Sequence, residues 1–220
     1  MSGQAVVLLS GGLDSGTALA MWLERGGAVE RCLCADYGQR AARAEAAASE
    51  RLARRFGLRW QHIELPWLGE ASCRMGSALA DGGARAVPER DESAPGDAQS
   101  AAAVWVPARN VVLIAAAAAF ADATGAGFVV TGFNREEAAT FADNSASFCH
   151  AFDAVLARGT RAGVAVASPT LELDKRGIVQ QARRLGLGRG DFWSCYHAES
   201  DPAVCRCESC VRSRLAWSTA

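Results

Sequence analysis

Short apolar runs alternating with helix-like stretches constrain this chain most. Residues 6–9, 31–36, 60–65, 127–131 and 163–167 each read as a short strand bounded by turn or helix signals. Between and after them, residues 16–25, 40–56, 110–124, 146–158 and 175–185 carry helical patterns, several stopped by glycine: Gly26-Gly27 after the first, Gly57 after the second. Uniformly apolar strands, rather than strictly alternating ones, are buried on both faces. Strand–helix alternation of that kind predicts an α/β fold: a doubly wound, mainly parallel five-stranded sheet. The pattern fails only over residues 68–103, rich in Gly, Ser, Asp and Pro, which read as one long loop. A loop of that length inside a compact domain is functional or mobile.

Bulk properties narrow the class. The chain has 220 residues, half of them hydrophobic, which suits one domain with a small appendage. A net charge of −1 offers no electrostatic footprint for nucleic acid. No run reaches the roughly 18 apolar residues that cross a membrane, and no basic-then-apolar leader opens the sequence, so a cytoplasmic setting is expected. Of eight cysteines, Cys32, Cys34, Cys73 and Cys149 are scattered and read as core thiols. Cys195, Cys205, Cys207 and Cys210 are clustered, and a clustered set in such a chain reads as metal-binding.

The first strand runs into "VVLLSGGLDSGT", residues 6–17. In doubly wound sheets ligands bind beyond the carboxyl ends of the strands, where Ser10 to Ser15 fall. Gly11 and Gly12 let backbone N–H groups approach an anion, and the next helix points its positive end at it. Ser10 and Ser15 add hydroxyl donors. The alternative is a plain strand-to-helix turn. Asp14 could help to hold Mg²⁺ or cap the helix it begins.

"SGGLDS" resembles the signature loop of the PP-loop ATP pyrophosphatases, which cleave ATP between its α and β phosphates. Further blocks extend the likeness: "DYGQR" at 36–40, "VPARN" at 106–110, "GFNREEAATFADNSASF" at 132–148, "PTLELDKRGIV" at 169–179 and "FWSCYHAESDPAVCRCESCVRSRLAW" at 192–217. Together, in this order and nearly end to end, they resemble the QueC family of 7-cyano-7-deazaguanine synthases. The likeness is weakest over 68–103. It implies an adenine nucleotide alpha hydrolase-like fold in two parts: residues 1–191 as the ATP-binding α/β domain and 192–220 as a zinc-binding tail packed on it. It also implies conversion of 7-carboxy-7-deazaguanine, ammonia and ATP to the nitrile of queuosine biosynthesis, with no nucleic acid or membrane partner, in a homodimer.

The resemblance assigns residues as well. Leu8, Leu9, Ser10, Gly11, Gly12, Leu13, Asp14, Ser15, Gly16, Thr17 and Ala18 would surround ATP, with Mg²⁺ as its companion. Asp14, Ser15 and Lys175 would act in catalysis. Tyr37, Gln39, Arg109, Asn110, Asn134 and Asp143 would bind the deazapurine. Several of these, and Phe133 beside them, have a second reading from their residue type. Lys175 neutralises phosphate or is a solvated surface lysine. The Arg109 fork suits carboxylate and phosphate equally. Asn110 reads a purine edge or caps its helix. Tyr37 and Phe133 stack on a flat heterocycle or pack in the core. Asp143 holds a purine amine or a metal, or caps the helix after Asn144.

Four cysteines match a closed tetrahedral zinc site. The family tail, however, runs Cys, a loop, then Cys-x-x-Cys-x-x-Cys. Here "CRCESC" puts Val204 at the second ligand position and Cys205 one residue later. Either the loop shifts so that Cys205 binds, or His197 substitutes. The expected ligands are Cys195, Cys205, Cys207 and Cys210, since the other three positions are thiolates. The zinc would be structural, one per chain, pinning a helix over 207–217. Rival readings are a tRNA-modifying PP-loop enzyme, for which the charge supplies little RNA surface, a zinc-stabilised binding module without catalysis, and a paralogue acting on another carboxylate.

Overall fold

A computed structural model describes residues 3–90 and 98–220. Its centre is a sheet of five parallel strands: β1 (Gln4–Leu8), β2 (Ala28–Asp36), β3 (Trp60–Glu64), β4 (Phe128–Val130) and β5 (Ala165–Ala167). Their order is β3-β2-β1-β4-β5. The chain winds outward from β1 through β2 to β3, then returns to place β4 on the other side of β1. The crevice beyond β1 and β4 is therefore the switch point where such sheets bind ligands.

Both faces of the sheet are covered, as its buried apolar strands at the centre require. Ala5, Val7 and Leu9 face one core, with Cys32, Val130 and Ala167. That core is closed by α1 (Leu13–Glu24), α2 (Ala42–Arg55), α8 (Lys175–Arg184) and α9 (Glu208–Thr219), through Leu19, Trp22, Leu52, Ile178 and Ala216. Val6, Leu33, Val129 and Val166 point the other way, onto α5 (Arg109–Thr124) and α7 (Ala146–Gly159) through Ile114, Ala117, Ala121 and Leu156. Alternate residues of β1 thus serve opposite cores, and burying each of Val6 and Val7 contributes roughly 1.5–3 kcal/mol.

The single loop expected over 68–103 is corrected. Residues Pro66–Met75 form helix α3 and Ala98–Ala103 a short α4, while 91–97 lie outside the described residues. Pro66 sits in the first turn of α3 and Gly76 closes it in the left-handed conformation (φ 75°), the usual helix punctuation. Two further corrections bear on the site. Helix α1 starts at Leu13, not at residue 16, because Gly12 is still extended and opens it. A four-residue helix, α6 (Arg135–Ala138), follows β4 where none was expected.

Candidate active site and cysteine centre

The turn after β1 is held open by its glycines. Gly11 has φ 80°, and a Cβ there would meet the Glu45 carbonyl at 2.6 Å and the Ser49 nitrogen at 2.7 Å, so α2 passes directly over it. A Cβ on Gly132, after β4, would meet the Ser15 nitrogen at 2.6 Å. Ser15 Oγ lies 3.0 Å from Ser10 Oγ and donates to the Gly12 carbonyl at 3.3 Å; Ser10 and Gly12 N–H groups donate to Ser15 Oγ and Ser10 Oγ. The two hydroxyls, buried Ser15 behind exposed Ser10, order the turn at the N-terminus of α1.

Beside it stands a three-membered charge cluster. Lys175 Nζ donates to Asp14 Oδ2 and, at 2.6 Å, to Glu137 Oε1. The lysine is four-fifths buried, not a solvated surface side chain. Burial alone would lower its pKa, but two adjacent carboxylates raise it, so it stays an ammonium. Burial pushes the Asp14 carboxyl up despite Lys175. Burial would also raise Glu137, which is partly buried, yet Lys175, Arg212 and Arg109 hold its carboxyl low. The capping alternative for Asp14 is corrected: α1 has no side-chain cap, and Asp14 Oδ1 is buried without a partner.

A cleft of about 1020 Å³ opens over this cluster. Of the expected residues it exposes Ser10, Gly12, Leu13, Asp14, Arg109, Asp143 and Lys175. Arg109 is the first residue of α5, after Ala108 in the left-handed conformation (φ 51°), a strain found elsewhere among the described residues only at glycines. Burial alone would lower the pKa of its guanidinium, but Tyr37, Asp143 and Glu137 raise it, so it stays charged.

Other expected residues support the wall from behind. Tyr37 is buried in a small core with Leu68 and Val106. Gln39 accepts from the Tyr37 N–H and donates to Ala35 O and Glu45. Asn110 donates to the Asp143 carbonyl at 3.3 Å rather than capping α5. Asn134 is fully buried and caps α6 by accepting from the Glu137 N–H at 2.9 Å. Phe133 packs against Phe148 in the core. The helix after Asn144 is capped by Ser145, not by Asp143. Leu9, Gly11, Ser15, Gly16, Thr17 and Ala18 are buried behind the turn, and Leu8 is half-buried in β1.

Sequence reasoning missed several lining residues. Trp105 and Phe141 stack at 6.1 Å, and Trp193, Tyr196, Glu137 and Arg212 complete the wall. Trp105 stands next to "VPARN", and Phe141 and Glu137 lie inside the quoted block at 132–148. Their place in or beside these blocks was the available signal.

The tail closes the cleft. The Trp193 N–H donates to the Gly11 carbonyl at 2.9 Å, and its indole to the Cys195 carbonyl. Cys195, Cys205, Cys207 and Cys210 bring their Sγ atoms within 4.8 Å of one another. Cys195 Sγ lies 3.5 Å from that of Cys205 and 3.9 Å from that of Cys207. A tetrahedron with metal–sulfur bonds of 2.3 Å needs sulfurs about 3.8 Å apart, so the set fits a zinc-sized ion. Val204 turns outward, 75% exposed, while Cys205 turns in on a bend whose N–H returns to Asp201 O at 2.9 Å. His197 contributes a backbone N–H to Cys195 Sγ, and its ring is not among the clustered ligand atoms. Neighbouring thiols hydrogen-bonding to Cys207 hold it well below the usual thiol range, while Cys195 and Cys210 are pushed up. Residues 88–90 are stitched to this centre by a Glu89–Cys207 bridge and by the Arg90 N–H to Arg206 O.

A doubly wound parallel sheet with an anion cradle after its central strand, and a buried ammonium beside the cradle, defines the nucleotide-binding α/β class of enzymes. Within it, the chain belongs to the queuosine biosynthesis protein QueC family, whose model matches residues 4–220. Relatives named 7-cyano-7-deazaguanine synthase are 46% identical in Pelotomaculum thermopropionicum and 45% in Desulforudis audaxviator, each aligned over 99% of this chain and 97% of the relative. One from Methanosarcina mazei is 39% identical over 97% of this chain and 93% of its own length. The solved structure of NMN synthetase from Francisella tularensis matches 97% of this chain and 76% of that one, at 16% identity and a TM-score of 0.49, too loosely to carry an argument.

Proposed function

We propose that the chain turns 7-carboxy-7-deazaguanine and ammonia into 7-cyano-7-deazaguanine at the expense of ATP. The observation that carries this reading is the Lys175–Asp14–Glu137 cluster beside the Ser10–Gly12 turn, in the cleft of a chain from this family. The backbone N–H groups and hydroxyls of the turn would hold the β and γ phosphates. Lys175 would neutralise charge as the α-phosphate is attacked, the transition-state stabilisation such a buried cation offers. The unpartnered Asp14 Oδ1 fits a Mg²⁺ ion, which would screen the phosphates when bound. Arg109, at the cleft, would orient the substrate carboxylate, with Asp143 near the exocyclic amine. The aromatic wall of Trp105 and Phe141 offers a flat heterocycle a stacking surface.

The chemistry balances over two activations. The substrate carboxylate attacks the α-phosphate and expels pyrophosphate, giving an acyl-adenylate. Ammonia then displaces AMP, losing a proton, to leave the amide. The amide oxygen attacks the α-phosphate of a second ATP and expels a second pyrophosphate, and departure of AMP with loss of both nitrogen protons leaves the nitrile. The protein acts by positioning and by electrostatics. The four cysteines would hold zinc, which supplies folding energy when bound. We extend the proposal to residues 1–191 as the ATP-binding part, 192–220 as the tail, and a cytoplasmic homodimer.

Mass spectrometry of the products tests the reading. With acid, ATP and ammonium we expect nitrile and two AMP per nitrile. Synthetic 7-amido-7-deazaguanine should yield the nitrile with ATP and no ammonium. An inert amide beside a processed acid would overturn the shared-site scheme, and an inert acid the substrate.

A further inference from the structure

The cysteine centre and the cation of the cleft are joined by one short path of side chains. Arg212 lies one turn into α9, just past Cys207 and Cys210. Its guanidinium donates to Glu136 Oε1 at 2.6 Å and approaches Glu208 at 3.9 Å. The other oxygen of Glu136 accepts the backbone N–H of Lys175 at 3.1 Å. That N–H opens α8, and helix-opening N–H groups have no partner within their own helix. The next residue of α6, Glu137, takes the Lys175 ammonium itself. So α6 grips Lys175 at both ends, and Arg212 grips α6.

We propose that Arg212 is a positioning residue: through Glu136 it transmits the placement of the cysteine-held tail to Lys175, and so sets the cleft's cation over the Ser10–Gly12 turn. A surface ion pair would contribute little, but this one is different in geometry. The Arg212 side chain is about three-quarters buried, and Glu136 is shared between two donors from separate helices. Misplacing a catalytic group by about 1 Å can cost about 100-fold in rate. Arg212 also lines the cleft, so the alternative to be separated is direct contact with an anionic substrate.

The experiment pairs two readouts on the full chain with its metal bound, in Arg212→Gln, Arg212→Lys, Glu136→Ala and the Arg212→Gln/Glu136→Ala double variant. The kinetic arm rests on the proposed reaction; the exchange arm does not. Amide hydrogen exchange over 174–178 should quicken about tenfold or more in Arg212→Gln and Glu136→Ala, with α5 unchanged and metal content preserved. Turnover should fall about 10–100-fold in each, mainly in kcat. The double variant should be no worse than the poorer single one, as residues acting in series require. Arg212→Lys should recover most of the loss. Unchanged exchange at 174–178 would overturn the proposal. So would loss in Arg212→Gln with full activity in Glu136→Ala, the sign of direct substrate contact. Global quickening with metal loss would reduce Arg212 to a structural role, and full turnover despite fast exchange would show that the placement does not matter. Where the acid is not a substrate, the exchange arm alone decides.

Discussion

At the scale of single residues, one ammonium holds two acids. Lys175 and Asp14 are 161 positions apart in sequence, so no local pattern could reveal that they meet. Lys175 was legible as a phosphate-neutralising candidate and Asp14 as a Mg²⁺ holder or a helix cap; the third member, Glu137, was not, because its only sequence signal was its place after a strand. The cluster makes a pH-dependent prediction. Glu137 titrates below its ordinary 4.5, so its contribution is present above that value and lost as pH falls through the folded value. Lys175 titrates above its ordinary 10.5, so its contribution is present below that value and lost as pH rises through the folded one. Both of these contributions are present between those limits, whereas that of Asp14, whose carboxyl burial pushes above its ordinary 3.8, is lost as pH rises through its folded value. Lys175→Met would leave two largely buried carboxylates without the ammonium between them, costing about 3 kcal/mol near pH 8. For a chain of this size that is roughly 6–12 °C in Tm. Toward pH 5 the carboxylates of the variant can take up protons, so the gap from wild type should narrow. Melts at the two pH values check this, and an equal gap at both would rule out the carboxylate pair as its source.

At the scale of elements, the sequence errs where glycine serves packing instead of turning. Gly69 and Ser72 made 68–103 look like loop, yet both lie inside α3. A Cβ on Gly69 would meet the Tyr37 carbonyl at 2.2 Å, so the glycine allows α3 to lie against the strand end that carries Tyr37. Ser72 returns its hydroxyl to the Leu68 carbonyl at 2.6 Å and is buried. Gly69→Ala should then destabilise by about 1–3 kcal/mol, the usual range for overpacking, although alanine is the better helix former. A melt equal to or above wild type would show that propensity wins. The tail poses the opposite case: its four thiols were legible, but Cys-x-Cys spacing left the choice between Cys205 and His197 to the conformation of the loop. The bend at 201–205 turns Val204 out and Cys205 in. Cys205→Ser should lower bound zinc well below one per chain, whereas His197→Ala, which keeps the backbone N–H to Cys195, should retain it. Elemental analysis of both decides, and the reverse pattern would assign the histidine.

At the scale of the whole molecule, the parallel sheet was legible because short, largely apolar runs alternate with helical patterns, and part of the candidate site because four of its blocks follow β1, β2, β4 and β5. The closure of that site was not. Nothing in the periodicity of 192–220 shows that Trp193 bonds the Gly11 carbonyl or that Tyr196 and Arg212 wall the cleft. Nor does it show that the tail belongs to the main core. Phe192 and Ala216 are buried among Leu19, Ile178 and Val179, and Trp217 packs at their edge, 6.3 Å from the Phe192 ring and under the Arg183 guanidinium. Phe192 also fills the space beside Gly16, where a Cβ would meet it at 2.7 Å. We therefore expect the proposed division at residue 191 not to be one of folding. Each large apolar side chain buried contributes roughly 1.5–3 kcal/mol, and a whole domain has only about 5–15 kcal/mol in hand. Ending the chain after Asp191 removes Phe192, Val211, Ala216 and Trp217 together and uncovers the outer side of α1 and α8. The truncated chain should lose its cooperative melt even where the metal is irrelevant. Stripping zinc from the full chain should instead loosen α9 first, since those apolar contacts remain. Calorimetry of the truncated chain beside chelator-treated full-length protein separates the two. A sharp transition in the truncated chain, at a temperature near that of the chelated one, would show that residues 1–191 fold alone and that the tail contributes only its metal.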